Sequence, residues 1–288
     1  MTTSAFEELL LCPNLPTLPT VAVEILALTR DPNVKMKDIE RLVQTDQGLA
    51  SRVLRTVNSS LYSLRKPCST IERALTYLGL NAVKSLVLGF SLVDVSKGVG
   101  EDDGFDMSTY WERVIYSSAG GRIIAVATRS CDPDEAFTCG IFQDIGMLAA
   151  IVGMSDDYVP LLMRVGERHD RLPAAEQDAF GFDHAEVGEA LARKWKMPEN
   201  IAACVGNHHD PDAAPKEYAG LVRSVYLGGL LAEALNNENA ASLVRTCDSL
   251  LYKWFGKIDA SMEELLNRIS ESAADFAKVL DKKVGRAT

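Results

Sequence analysis

The sequence has no C-x-x-C pair, no basic leader at its start, no uninterrupted apolar run of membrane length and no glycine-rich phosphate loop. Each absence removes a class of protein. Its six cysteines (Cys12, Cys68, Cys131, Cys139, Cys204 and Cys247) are scattered, which excludes the disulfide ladder of a small secreted scaffold and points to reduced, mostly buried thiols. The first eleven residues carry Glu7 and Glu8 and no positive n-region, so no signal peptide is expected. The longest apolar stretch, Ser85 to Val95, is interrupted by Gly89 and Asp94 and is too short to span a bilayer. A cytoplasmic protein with no membrane association is therefore expected. Walker-type, dinucleotide-fingerprint, H-E-x-x-H and G-x-S-x-G motifs are all missing, and with them the common nucleotide-binding, zincin and serine-hydrolase chemistries.

Basic charge is also short. The 288 residues carry a formal net charge of -10, divided as +2 over residues 1–100 and -12 over the rest. An acidic chain repels phosphate backbones at long range, so nucleic acid is not an expected partner. Arg41, Arg52, Arg55, Arg65, Lys66 and Arg73 could form a local basic patch, but charges on amphipathic helices ordinarily face water. Hydrophobic residues make up 47% and charged residues 24%, the composition of a folded globular chain.

What is present is helical periodicity, with no sustained alternation of apolar and polar residues, and the expected fold class is all-α. Leu15-Pro16-Thr17-Leu18-Pro19 precedes an amphipathic run from Thr20 that Asp31-Pro32 ends. Further helices are expected over Met36–Thr45 and over Gln47–Val57, the second capped by Asp46. Ser69-Thr70-Ile71-Glu72 reads as a capping box. In the helix that follows, Gly79 provides a left-handed C-terminal residue, and Asn81 can cap the next helix, to Val93. The glycine-rich, acidic segment Gly98 to Asp106 is the best candidate for a linker between two lobes.

Beyond it, Trp111 to Ala127 and Ala136 to Val152 read as long, deeply buried helices. Asp183-His184-Ala185-Glu186 is a D-x-x-E capping box opening a helix to about Lys196, and Pro198 suits the first turn of the next. Helices over Ile201–Asn207, Leu221–Leu235, Ala241–Phe255 and Ser261–Leu280 complete the chain. Gly120-Gly121 and Gly228-Gly229 lie within helical patterns, where close helix packing is the expected use.

Asp144, His184, His208 and His209 are the titratable or metal-competent groups set in apolar or punctuated helical context. Each also has a plain alternative: a buried Asp paired with an Arg, a histidine at a helix start, or two histidines closing a helix.

Several motifs in order resemble the HDOD family. The first lobe supplies the proline segment at 15–19, Asp46-Gln47-Gly48-Leu49, the string from Leu54 to Tyr62, and Ile71 to Gly79. The second supplies Gly140-Ile141-Phe142-Gln143-Asp144-Ile145-Gly146, then His184-Ala185-Glu186-Val187-Gly188, then His208-His209-Asp210-Pro211. The resemblance implies a two-lobed all-helical HDOD fold: an N-terminal helical bundle lobe (1–100), a degenerate HD-like lobe (101–235) and a C-terminal helical extension (236–288) packing on the second.

It also implies a bacterial regulatory or scaffolding module related to HD phosphohydrolases. An active HD site resembles a leading His, a His-Asp pair and a later Asp around one divalent ion that activates water. In those places this chain has Arg113, then Gln143 with Asp144, then Gly228 and Gly229, so one core ligand in four remains. His184 and His208 or His209 stand where two-metal relatives add histidines, although the GYP signature is absent. A carboxylate and two histidines could still bind a divalent ion. The adjacent His208 and His209 point about 100° apart on a helix, so one of them at most is expected to join. If Arg113 lies beside Asp144, its guanidinium could replace the lost cation.

The remnant site is therefore Arg113, Gln143, Asp144, His184, His208 and His209, with no catalytic residues, metal or cofactor expected. The function read from this is a non-catalytic signal-transduction scaffold acting through protein partners. A residual metal-dependent phosphohydrolase, or a nucleotide sensor without turnover, is the alternative.

Overall fold

Helix follows helix, as the 3.6-residue periodicity requires. The computed structural model describes residues 4–28, 33–59, 62, 64, 66–99, 105–166, 168–236, 240–280 and 282, and among these it contains no strand. The helices are α1 (Ala5–Leu11), α2 (Thr20–Leu28), α3 (Met36–Gln44), α4 (Gln47–Val57), α5 (Ile71–Val95), α6 (Met107–Thr128), α7 (Pro133–Phe142) and α8 (Ile145–Gly153). They continue as α9 (Ser155–Val165), α10 (Leu172–Phe180), α11 (His184–Lys194), α12 (Glu199–Asn207), α13 (Ala219–Asn236), α14 (Ala240–Phe255) and α15 (Met262–Val279). A 3-10 turn at His169–Arg171 leads into α10.

Most helix starts lie where the sequence signals them. The Asp46 side chain accepts from the Leu49 N–H, and Asp183 and Glu186 close a complete capping box. The capping box expected at Ser69–Glu72 is not formed: Thr70, not Ser69, is the N-cap and accepts the Arg73 N–H, and an arginine at that third position offers no carboxylate to complete a box. Ser4 and Glu7 form a further box that starts α1. Gly79 takes φ 82° and kinks α5, but Asn81 caps nothing and its amide donates to Asp132. Asn58 ends α4, and its amide brackets the backbone of Cys68 from both sides, accepting from N–H at 2.6 Å and donating to C=O at 2.7 Å. Ser60, Leu61, Arg65, Asp31-Pro32 and most of the expected linker (100–104) lie outside the described residues.

One continuous apolar core runs from Leu9 to Leu280. Helix α5 packs on α7, and α15 packs on α6 and α13 and reaches α4, so the two sets of helices share that core. Two stretches, Ile71–Val95 and Pro133–Gly153, are long and apolar enough to cross a membrane by composition, but most of their residues are buried inside the protein. Where α6 meets α13 the backbones nearly touch. A Cβ on Gly120 would lie 2.7 Å from the Gly228 Cα, and one on Gly228 would lie 2.2 Å from the Gly121 nitrogen. All six cysteines are unbonded thiols, four of them buried. Of the basic residues that could form a patch, Arg52 is committed to an ion pair with Asp94 and Arg73 lies over the Tyr77 ring.

Candidate functional site

The apolar run expected as one helix over Ala136–Val152 is broken at Gln143-Asp144. Asp144 takes φ -100°, ψ 19°, the sparsely populated bridge between helix and strand, and its carboxylate caps no helix. It turns inward instead and is fully buried.

The two carboxylate oxygens of Asp144 have different surroundings. Oδ2 accepts from Arg113 Nε and from Gln143 Nε2, each at 3.0 Å. Oδ1 is left without a hydrogen bond and faces three imidazole nitrogens: Nε2 of His208 at 3.2 Å and Nε2 of His169 and His184 at 3.4 Å. The Nε2 of His209 closes the ring, 2.9 Å from that of His184, which lies 3.3 Å from that of His208. The five ligand atoms all lie within 4.8 Å of one another. The chain has four histidines, and every one of them is here.

Local structure aims each ring. His184 is the first residue of α11, directly after the capping box. Its Nδ1 lies 2.7 Å from Glu176 Oε2, which also accepts its backbone N–H at 3.0 Å. Glu176 is itself buried and receives the Tyr158 hydroxyl on its other oxygen. His208 closes α12, with Nδ1 2.7 Å from the Val205 carbonyl. A carboxylate and a carbonyl can only accept, so both Nδ1 atoms carry protons. In the neutral rings, Nε2 is therefore a bare lone pair pointing at its neighbours.

The meeting of α8 and α11 depends on two motif glycines. A Cβ on Gly146 would stand 1.9 Å from the His184 carbonyl oxygen and 2.7 Å from the Gly188 nitrogen. No side chain fits there, and the contact brings His184 against Asp144.

Burial alone would raise the Asp144 carboxyl, but Arg113 and then His169 outweigh it and hold the group well below the usual carboxylate range. Burial followed by the Arg113 charge pushes His169 down to about 3. Burial and the neighbouring His208 and His184 hold His209 well below the ordinary range for histidine. Burial opposes a proton on His184 as well, yet Glu176 and Asp144 overcome it and lift that ring to about 9.

All six residues singled out in the sequence converge, and Arg113 lies where the family pattern implied, against Asp144. The expectation that only one of His208 and His209 could join is corrected: His208 ends α12, the chain leaves the helix there, and the 100° helical offset no longer separates the two rings. His169 and Glu176 were not foreseen. Both lie in residues 155–180, between the stretches that the sequence reads as helices, where the structure has α9, the 3-10 turn and α10. His169 could have been found as the one remaining histidine, whereas nothing in the sequence marks Glu176. No carboxylate stands at Gly228-Gly229, but Glu233 further along α13 lies close enough to Arg113 to feel its charge, which opposes the rise that burial causes in the Glu233 carboxyl. The open cleft of about 560 Å³ lined by Asp132, Glu135, Glu199 and Tyr218 contains none of these groups.

A divalent ion fits the centre. Ligands bound at about 2.0–2.2 Å around one ion stand about 3.0–3.4 Å apart when adjacent, and the contacts to the unpaired Oδ1 and between the Nε2 atoms fall close to that range. Asp144, His169, His184, His208 and His209 would hold it. When bound, it would supply Lewis acidity to an oxygen ligand.

Asp144 and the four histidines, drawn from four parts of the chain, meet at one point of an all-α fold. An HDOD domain model matches residues 15–211, and the chain belongs to the HDOD family. An uncharacterized protein of Treponema pallidum is 26% identical over 228 residues, 78% of this chain and 43% of its own length. The chain thus spans less than half the length of the curated relatives it matches. Among solved structures, a candidate phosphohydrolase of Shewanella amazonensis SB2B superposes with a TM-score of 0.75 at 24% identity, covering 96% of this chain and 98% of that one. The MmoQ response regulator of Methylococcus capsulatus gives a TM-score of 0.50 at 27% identity, covering 88% and 98%.

Proposed function

We propose that the chain is a regulatory module of signal transduction that acts in the cytoplasm through a protein partner and turns over no substrate. The observation that carries this reading is the state of Asp144. Its Oδ2 is occupied by the Arg113 guanidinium, and Asp144, His184 and His208 are buried while His169 is 11% exposed on its side chain. A hydrolytic centre needs an open coordination position reached by a phosphate ester and an attacking water, whereas a closed ligand set is the mark of a structural site. The family match and the likeness to a response regulator support a regulatory role. The net charge of -10 and the acidic cleft disfavour a nucleic-acid partner.

The test is hydrolysis of cyclic dinucleotides and of a generic phosphodiester, with manganese, iron(II) or zinc added. No turnover is expected, and Arg113→His restores none, because Gln143 still stands in place of a second ligand. Turnover that disappears in Asp144→Ala would make the chain a phosphohydrolase and end this reading.

A further inference from the structure

We propose that Asp144, His169, His184, His208 and His209 form a closed single-ion centre for a borderline divalent transition metal, with His169 a ligand that lies outside every family motif in this chain. The assignment does not depend on the regulatory reading, since a structural ion and a catalytic ion would both occupy it.

Three observations carry it. First, Asp144 Oδ1 and His169 Nε2 are buried polar atoms without hydrogen bonds, and they face each other at 3.4 Å. A buried polar atom with no partner is destabilising, and a shared cation satisfies both atoms at once. Second, Glu176 and Val205 fix the Nδ1 protons of His184 and His208, which leaves two Nε2 lone pairs 3.3 Å apart and both facing a carboxylate oxygen. In neutral rings those lone pairs repel, and an ion held between them and the carboxylate oxygen turns each repulsion into a bond. Third, the donor set is four imidazole nitrogens and one carboxylate oxygen. Such a set suits zinc, iron(II), cobalt or nickel, whereas magnesium and calcium demand oxygen.

His169 stands at the start of the 3-10 turn before α10, and its ring centroid lies 5.2 Å from those of both His184 and His209. The adjacent Arg168 bonds Asp170 through two nitrogens at 2.9 and 3.0 Å on the solvent side of this turn. Ligation by His169 would tie residues 168–180 to the helices that carry the other four ligands, filling the vacancies left by Arg113 and Gln143.

The experiment uses the full chain purified without a metal-affinity tag. Metal content is measured as isolated; the protein is then stripped with chelator and titrated with cobalt(II) or zinc against a competing chromophoric chelator. The expected result is one ion per chain, cobalt d–d bands of a nitrogen-rich site, a raised melting temperature on loading, and no competition from millimolar magnesium. In His169→Ala and His169→Gln the cobalt bands should change, and affinity should fall by at least about tenfold, the lower bound for disturbing even an outer-shell partner. The circular dichroism of each stripped variant, compared with the stripped parent, separates loss of a ligand from loss of the fold.

Absence of any saturable cobalt or zinc binding would overturn the centre and leave a protonated His184 as its cation. Unchanged affinity and unchanged bands in both His169 variants would overturn the role of His169, and displacement of cobalt by magnesium would overturn the metal class.

Discussion

Arg113 Nε lies 3.0 Å from Asp144 Oδ2, on the carboxylate oxygen that the histidines leave alone. The guanidinium and the imidazoles divide one buried carboxylate between them, so Asp144 can be ion-paired and still present a free oxygen. Removing the cation leaves that charge with Gln143 as the remaining partner of Oδ2. In metal-stripped protein, Arg113→Met should cost about 3–5 kcal/mol in urea unfolding at neutral pH, the loss typical of a broken buried pair. Asp144→Asn in the same background should recover most of it. A cost under about 1 kcal/mol in Arg113→Met would show that the pair does not hold Asp144 in place.

Adjacent glycines on α13 should respond with opposite signs. A Cβ on Gly228 would meet the Gly121 nitrogen at 2.2 Å, while one on Gly229 would find its nearest neighbour, Ser117 Oγ, at 3.9 Å. Gly228→Ala must push α13 off α6 and is expected to lose at least about 2 kcal/mol through overpacking. Gly229→Ala removes a flexible residue from a helix interior and should be neutral or gain about 0.5–1 kcal/mol. Equal effects of the two changes in thermal unfolding would contradict the helix contact drawn at Gly120 and Gly228.

These glycines show what the sequence made legible. Their position inside helical patterns pointed to close packing, and Asp46, Asp183 and Gly79 marked helix ends by local chemistry that tertiary structure did not override. The break at Gln143-Asp144 was hidden because it interrupts an apolar run without proline or glycine at the break itself. There Asp144 turns its carboxylate inward to Arg113 and the histidines instead of capping α8. His169 is marked in the sequence only by being the fourth histidine: a one-turn 3-10 segment has no periodicity, and its place in the cluster comes from long-range convergence. Nothing in the sequence marks Glu176, and its burial follows from contacts to Tyr158, eighteen residues before it, and His184, eight residues after it.

Asp94 ties α5 to α4 by receiving Arg52 at 2.6 Å, and it also receives Lys97, three residues on, at 2.7 Å. Burial would raise its carboxyl, but the hydrogen bonds and charges of Arg52 and Lys97 outweigh that and hold it below the usual range. With the folded-state value below the unfolded one, near 3.9, the group adds stability above that pH, and the contribution is lost as pH falls through the folded value. Asp94→Asn should therefore flatten the acid limb of the stability curve below about pH 4. Its effect near neutrality should stay under about 1 kcal/mol, because the pair is partly solvated. An acid limb as steep in the variant as in the parent would assign the loss to other carboxylates.

Glu176 joins the fold and the site most directly. Its Oε2 holds His184 by both the ring and the backbone N–H, and its other oxygen takes the Tyr158 hydroxyl, all out of contact with water. Glu176→Gln keeps the shape and one acceptor oxygen but removes the charge and sets an NH2 group where an acceptor is needed. Stability of the stripped protein should fall by about 1–3 kcal/mol, the cost of a buried polar group left unpaired. Cobalt(II) affinity should fall separately, by about 10–100-fold, because a carboxylate behind an imidazole fixes its tautomer and makes it a stronger donor. The two readouts separate two roles. A loss of stability with unchanged cobalt affinity would make Glu176 a scaffold for α10 and α11 alone, whereas a loss of affinity beyond what the stripped protein's stability explains makes it the group that orients His184 toward the ion.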